Sequence, residues 1–226
     1  MFKSSQWRQK RLKPEEIERE SFRILLGEMH PHSFSETELP IVQRVVHATA
    51  DFEFQDLIRF SPGAIDSAIR AIHAGRPVFS DVRMIEAGIG KPLMDRFGCR
   101  SRCLVSDENV AAIAARTGKT RSETAMRLLG REMDGAAVLI GNAPTALFEV
   151  LRLYREEGIR PAVVVGVPVG FVNAAESKAA LCGTDLDYIT VSGRKGGSTV
   201  AVAIFNALLR LANKKRDESE RKESER

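Results

Sequence analysis

Two residues in the segment LPIVQRVVHATAD, at 39–51, are of types that move protons and hold anions: Arg44 and His47. They stand three residues apart, so on a helix they project from one side. An imidazole titrates near neutrality, and a guanidinium is a permanent two-pronged cation. Side by side they make a proton-transfer group next to an anion clamp. The plainer alternative is a surface arginine and a histidine satisfied in the core. Three further stretches join glycine to polar residues: GNAPT at 141–145, VPVGF at 167–171 and SGRKGGS at 192–198. Glycine lets a backbone approach a ligand, and helix N-termini offer free N–H groups to anions. The alternative is three tight turns between strands and helices. None has the spacing of a dinucleotide fingerprint or a P-loop, and no G-x-S-x-G elbow or carboxylate pair is present.

The elements that must hold these residues follow from periodicity. Leu39, Val42, Val45, Val46 and Thr49 recur at helical spacing, and Ser35 with Glu38 reads as a capping box upstream. Pro14-Glu15-Glu16 opens an earlier helix that runs to about Met29 and carries Ser21. Residues 57–60, 77–82, 102–106, 136–140, 162–167 and 188–191 read as strands, with helices between them. Thr120 and Glu123 form a second capping box, with Arg121 in the first turn of its helix. GNAPT, VPVGF and SGRKGGS each join a strand end to a helix start. Apolar strands alternating with amphipathic helices imply an α/β fold: a mostly parallel sheet with helices on both faces, a Rossmann-like three-layer single domain. In such sheets ligands bind beyond the carboxyl ends of the strands, where those loops fall. Asp81, at the end of the 77–82 strand, either touches ligand there or bonds locally.

The 226 residues fit one domain over 14–213, between a flexible basic N-terminus at 1–13 and a charged tail at 214–226 read as a frayed helix end or disorder. The formal net charge is +4. Five cations and no acid lie in 1–13, and the tail adds a net +1, which leaves the body between them at −2. The basic character is terminal, so no nucleic-acid surface is expected. No apolar run spans a bilayer and no secretion signal opens the chain, so the expected location is cytoplasmic, without a membrane partner. Cys99, Cys103 and Cys182 match no zinc or redox spacing and read as free thiols. His30 and His32 flank Pro31 without a ligand cluster beside them, so no metal site is expected. The residues alone therefore give an α/β protein with a polyanion pocket, one acid/base histidine and several candidate arginines.

RVVHATAD, IGNAPTALFEVL, GVPVGFVNAAESK and SGRKGGSTVAVAIFNAL together resemble the precorrin-8X methylmutase (cobalt-precorrin-8 methylmutase) family. The likeness spans roughly residues 18–211, with the shorter strings ESF at 20–22, DVRM at 81–84 and TRS at 120–122 in family order. One departure is Ala50, where the family often has glycine. The resemblance implies a homodimeric isomerase of corrin biosynthesis. It moves a methyl group from C-11 to C-12 of a late tetrapyrrole, giving hydrogenobyrinate or cobyrinate, with no redox cofactor or methyl donor. It implies His47 as proton donor and acceptor, and Ser21, Arg44 and Arg121 as substrate contacts.

The residue chemistry is compatible with that assignment. The macrocycle carries acetate and propionate arms, which Arg44 and Arg121 could clamp. The GNAPT and KGGS stretches, through Asn142, Thr145, Gly196, Gly197 and Ser198, could take others. Each has a plainer alternative: Ser21 as an ordinary helix hydroxyl, Asn142 and Thr145 as helix caps, Lys195 as a solvated lysine. Two other functions compete: a non-catalytic tetrapyrrole carrier that hands its ligand to neighbouring enzymes, and a nucleotide-dependent oxidoreductase. The missing dinucleotide fingerprint argues against the second.

Overall fold

The structure, a computed structural model, describes residues 13–224. The flexible segment expected at 1–13 therefore falls outside the described residues except for Lys13. The chain forms α1 (Pro14–Glu28), α2 (Leu39–Thr49), α3 (Phe54–Leu57), β1 (Ile58–Phe60), α4 (Ala64–His73), β2 (Val78–Ser80), α5 (Arg83–Gly88), α6 (Lys91–Arg96) and β3 (Ser101–Arg102). There follow α7 (Glu108–Thr117), α8 (Arg121–Leu129), a 3₁₀ turn at Gly130–Met133, β4 (Ala137–Ile140), α9 (Pro144–Glu157), β5 (Val163–Gly166), α10 (Ala174–Cys182), β6 (Tyr188–Val191) and α11 (Ser198–Ser224).

The six strands lie in the order β1-β6-β5-β4-β2-β3. Every pairing is parallel except β1 with β6, which is antiparallel at one edge. The central strands are apolar because both faces are covered. Ala137, Leu139, Val163 and Val165 enter a core shared with α2, α4 and α11, while Val138, Ile140 and Val164 enter one shared with α8, α9 and α10. Successive side chains thus serve opposite layers, as the two-residue period requires. Each such buried Val or Leu contributes roughly 1.5–3 kcal/mol.

Four elements depart from expectation. The strand expected at 102–106 is reduced to the pair Ser101–Arg102. Residues 54–57 and 91–96 form short helices that the periodicity did not single out. The last helix does not end at Asn213 but continues to Ser224. Its mixed charges explain this. Arg216 pairs with Glu220 one turn on, at 2.8 Å. Lys215 reaches Asp66 of α4 at 2.9 Å, and Asp217 holds Arg96 of α6 at 2.6 Å. The stretch expected as a frayed helix end or disorder is, in three dimensions, a set of helix-spaced pairs and struts.

The strand order reverses between β2 and β4: β3 follows β2 on one side and β4 lies on the other. Two glycines let the loops beyond the carboxyl ends pack together there. A Cβ at Gly141 would lie 2.8 Å from the Ser198 Cα, so the start of α11 rests directly on the β4–α9 turn. Gly196, at φ +153°, passes so close that a Cβ would meet the Val167 carbonyl oxygen at 2.3 Å.

Candidate functional site

α2 positions the two residues with which the site begins. The Ser35 N–H donates to Glu38 Oε2 at 2.9 Å and the Glu38 N–H donates to Ser35 Oγ at 3.3 Å, a reciprocal box in the turn that leads into the helix, whose N-cap is Glu38. Ile41, Val42, Val45 and Val46 are fully buried toward the core shared with α11. The helix is therefore fixed in rotation, and Arg44 and His47 must face away from the core. Ala50 ends it in the left-handed region, φ +51°, ψ +31°. Glycine adopts that conformation without the side-chain penalty that alanine carries.

The outward face of α2 meets α1. The His47 ring stacks on Phe22, centroids 4.9 Å apart and planes 7° from parallel. The Arg44 guanidinium lies 4.5 Å from the same phenyl centroid, and its Nη1 donates to Glu18 Oε1 at 2.6 Å. Ser21, half-buried, precedes Phe22 on α1. Arg44, with help from Arg210 and His47, holds the Glu18 carboxyl below its usual range. His47 itself is exposed, and among the described residues its ring nitrogens have no hydrogen-bond partner. A ring held flat on a phenyl face with both nitrogens unengaged can accept or deliver a proton without first breaking a protein contact. Phe22 and Glu18 were not singled out as site residues. The string ESF held the signal for Phe22; nothing local marks Glu18.

A second group surrounds the strand-order reversal. Asp81, fully buried at the end of β2, accepts the N–H groups of Gly141 at 3.0 Å, Asn142 at 2.9 Å and Ala143 at 2.7 Å. Burial pushes its carboxyl upward against the pull of these three donors. The backbone donors that GNAPT offers to a substrate anion are thus already engaged by the protein's own carboxylate, and Asp81 bonds locally. Neither Asn142 nor Thr145 caps α9, whose N-cap is Ala143 followed by Pro144. Thr145 Oγ1 instead lies 2.8 Å from Thr120 Oγ1, which also accepts the Glu123 N–H at 3.1 Å and so caps α8. This contact sets the start of α8, with exposed Arg121, against the start of α9, with exposed Asn142. No hydrogen bond or ion pair joins Arg121 to Arg44 or His47 among the described residues.

The SGRKGGS loop bridges the two groups. The Gly197 N–H donates to the Val167 carbonyl at 2.8 Å, and half-buried Ser198 starts α11 against Gly141. Lys195 is paired and not merely solvated: its Nζ donates to Asp51 Oδ2 at 2.5 Å and Glu53 Oε2 at 2.6 Å, just past α2. Its carbonyl accepts from the Nζ of Lys178 at 2.5 Å. Lys178 is 1% exposed, and burial lowers its ammonium to about 8. Sequence reading missed Lys178 because a lysine inside a helix reads as solvated.

Among the described residues no cluster of three or more His, Cys, Asp or Glu could hold a metal ion, and no helix is long and apolar enough to cross a membrane. The three cysteines are free.

The model of the precorrin-8X methylmutase family matches residues 16–211. The chain belongs to that family. A methylmutase moves a methyl group within one molecule, so the protein is an enzyme of the isomerase class. The cobalt-precorrin-8 methylmutase of Leptospira interrogans is 44% identical over 207 residues, covering 88% of this chain and 94% of that one. The cobalt-precorrin-8 methylmutase of Priestia megaterium is 44% identical over 202 residues, covering 89% and 90%. A crystal structure of precorrin-8X methylmutase from Thermus thermophilus superimposes with a TM-score of 0.83 at 46% identity, covering 88% of this chain and 96% of that chain. The matched span takes in α1 and α2 as well as all three loops.

Proposed function

We propose that this methylmutase acts in cobalamin biosynthesis on precorrin-8X or cobalt-precorrin-8, moving the methyl group from C-11 to C-12 to give hydrogenobyrinate or cobyrinate. The bond from C-11 to the methyl breaks and the bond from C-12 to it forms, so no methyl donor or redox cofactor enters. The migration needs one tautomer of the conjugated ring. His47 selects it by giving up or taking a proton. The observation that supports this role is the imidazole itself: exposed, stacked on Phe22, without a hydrogen-bond partner among the described residues, and next to Arg44. Ser21 and Arg44 hold the substrate near His47. Arg121, Asn142 and Thr145 contact its outer arms through their side chains, and the turn at Gly196, Gly197 and Ser198 does so through the Ser198 hydroxyl and the close backbone approach its glycines permit.

His47→Ala should lower kcat about 10²–10⁴-fold with little change in Tm, because the ring is exposed. A His47→Ala protein that turns over substrate at the full rate contradicts the assignment. Turnover by catalytic amounts of the native protein separates an enzyme from a carrier. The protein also works as a homodimer in this reading, supported by Phe171 and Val172, which stand 84% and 79% exposed at the end of the VPVGF turn. Light scattering should report twice the chain mass of 25.0 kDa; a monomer at working concentration contradicts it.

A further inference from the structure

The face of α2 that carries Arg44 continues away from His47 into a groove against α11. The groove holds about 340 Å³. Phe22 closes one side, and α11 supplies Ala207, Arg210, Leu211 and Lys214. Those four positions follow the helical repeat, so one stripe of α11 alternates apolar surface with positive charge. One acidic side chain, Glu36, also lines the groove.

The cations here differ in how far they are engaged. Arg44 already holds Glu18 at 2.6 Å. Arg210 makes no hydrogen bond or ion pair among the described residues, although it lies near enough to Glu18 to help hold that carboxyl ionised. Among the described residues Lys214 has only Glu218, 3.9 Å away in an exposed pair that contributes little. A protein carboxylate thus already rests at this end of the groove, and two cations beyond it are available to another.

We infer that the α2–α11 groove is a carboxylate subsite, in which Arg210 and Lys214 bind one acid arm of the tetrapyrrole whose ring lies at Phe22 and His47. The inference rests on the methylmutase reading. The arm's methylenes lie on Ala207 and Leu211, and its carboxylate reaches the two cations, which stand one helical turn apart, about 6 Å. Glu36 limits how many arms the groove accepts.

The double variant Arg210→Met/Lys214→Met removes both charges and keeps the apolar stems; both residues are exposed. The native protein and the variant are titrated with hydrogenobyrinate and with its methyl ester, and kcat and KM are measured with precorrin-8X. The variant should bind the acid about tenfold more weakly or worse, with KM raised to match and kcat within about twofold. The methyl ester should bind both proteins equally. Equal binding of the acid by both proteins overturns the subsite, as does an equal loss of acid and ester. A native protein that neither binds hydrogenobyrinate nor turns over precorrin-8X overturns the methylmutase reading before the variants are compared.

Discussion

The turn after β4 and the outer face of α2 both present groups that could meet an anion, and the protein uses them in opposite ways. At the turn, three N–H donors converge where an α/β sheet reverses its strand order, the usual position of a ligand. They converge on Asp81. On α2, an imidazole and a guanidinium face outward over one phenyl ring, and the imidazole has no hydrogen-bond partner among the described residues. In the first region a buried carboxylate does internally, for the three N–H groups, what a bound anion does elsewhere. The second leaves the imidazole without a hydrogen-bond partner among the described residues, while Arg44 is held by Glu18 at 2.6 Å. Donor geometry alone therefore does not locate a site; what the donors already hold decides it.

The contrast can be broken most severely at Asp81. Asp81→Asn replaces an acceptor of three N–H groups with an amide that turns a donor toward at least one of them. The expected loss is about 3 kcal/mol or more of unfolding free energy, roughly a 10 °C drop in Tm in thermal melts. If instead Tm holds and only substrate affinity falls, Asp81 belongs to the site and the contrast fails.

Lys178 sharpens the comparison, because it ties the two regions together through the Lys195 carbonyl. Its ammonium sits near 8 in the fold against an ordinary 10.5. Between those values the unfolded chain holds the proton and the folded chain does not, so folding gains as pH rises through that window. In denaturant titrations the native protein should become more stable relative to Lys178→Met as pH climbs from about 8 to 10.5. A flat difference across that range means the ammonium is not desolvated.

The smallest effect is expected at Ala50. Its left-handed conformation strains a side chain that glycine would not carry, so Ala50→Gly should stabilise the protein by about 1 kcal/mol without changing kcat. A destabilised glycine variant would show that the α2 C-cap is not strained.

These particulars also mark what can be read from the chain. The strands β4, β5 and β6, the helices that follow them and the face of α2 all show in local periodicity, because each buries a patterned stripe. The pairing of His47 with Arg44 is equally local. Asp81 and the GNAPT donors are 60 residues apart in sequence, so the turn reads as an empty anion nest until the fold brings the carboxylate to it. Phe22 under His47, Glu18 on Arg44 and Lys195 on Asp51 are likewise long-range matches that no spacing rule encodes. The charged end of α11 is only half legible for the same reason: two of its partners, Asp66 and Arg96, lie on other helices.

The proposed chemistry requires the macrocycle to be worked upon at His47. A crystal structure of the protein with hydrogenobyrinate tests it most directly. The corrin is expected to lie over the Phe22–His47 pair, with an imidazole nitrogen within hydrogen-bonding distance of the ring system. A corrin bound elsewhere, with His47 left uncovered, would contradict it.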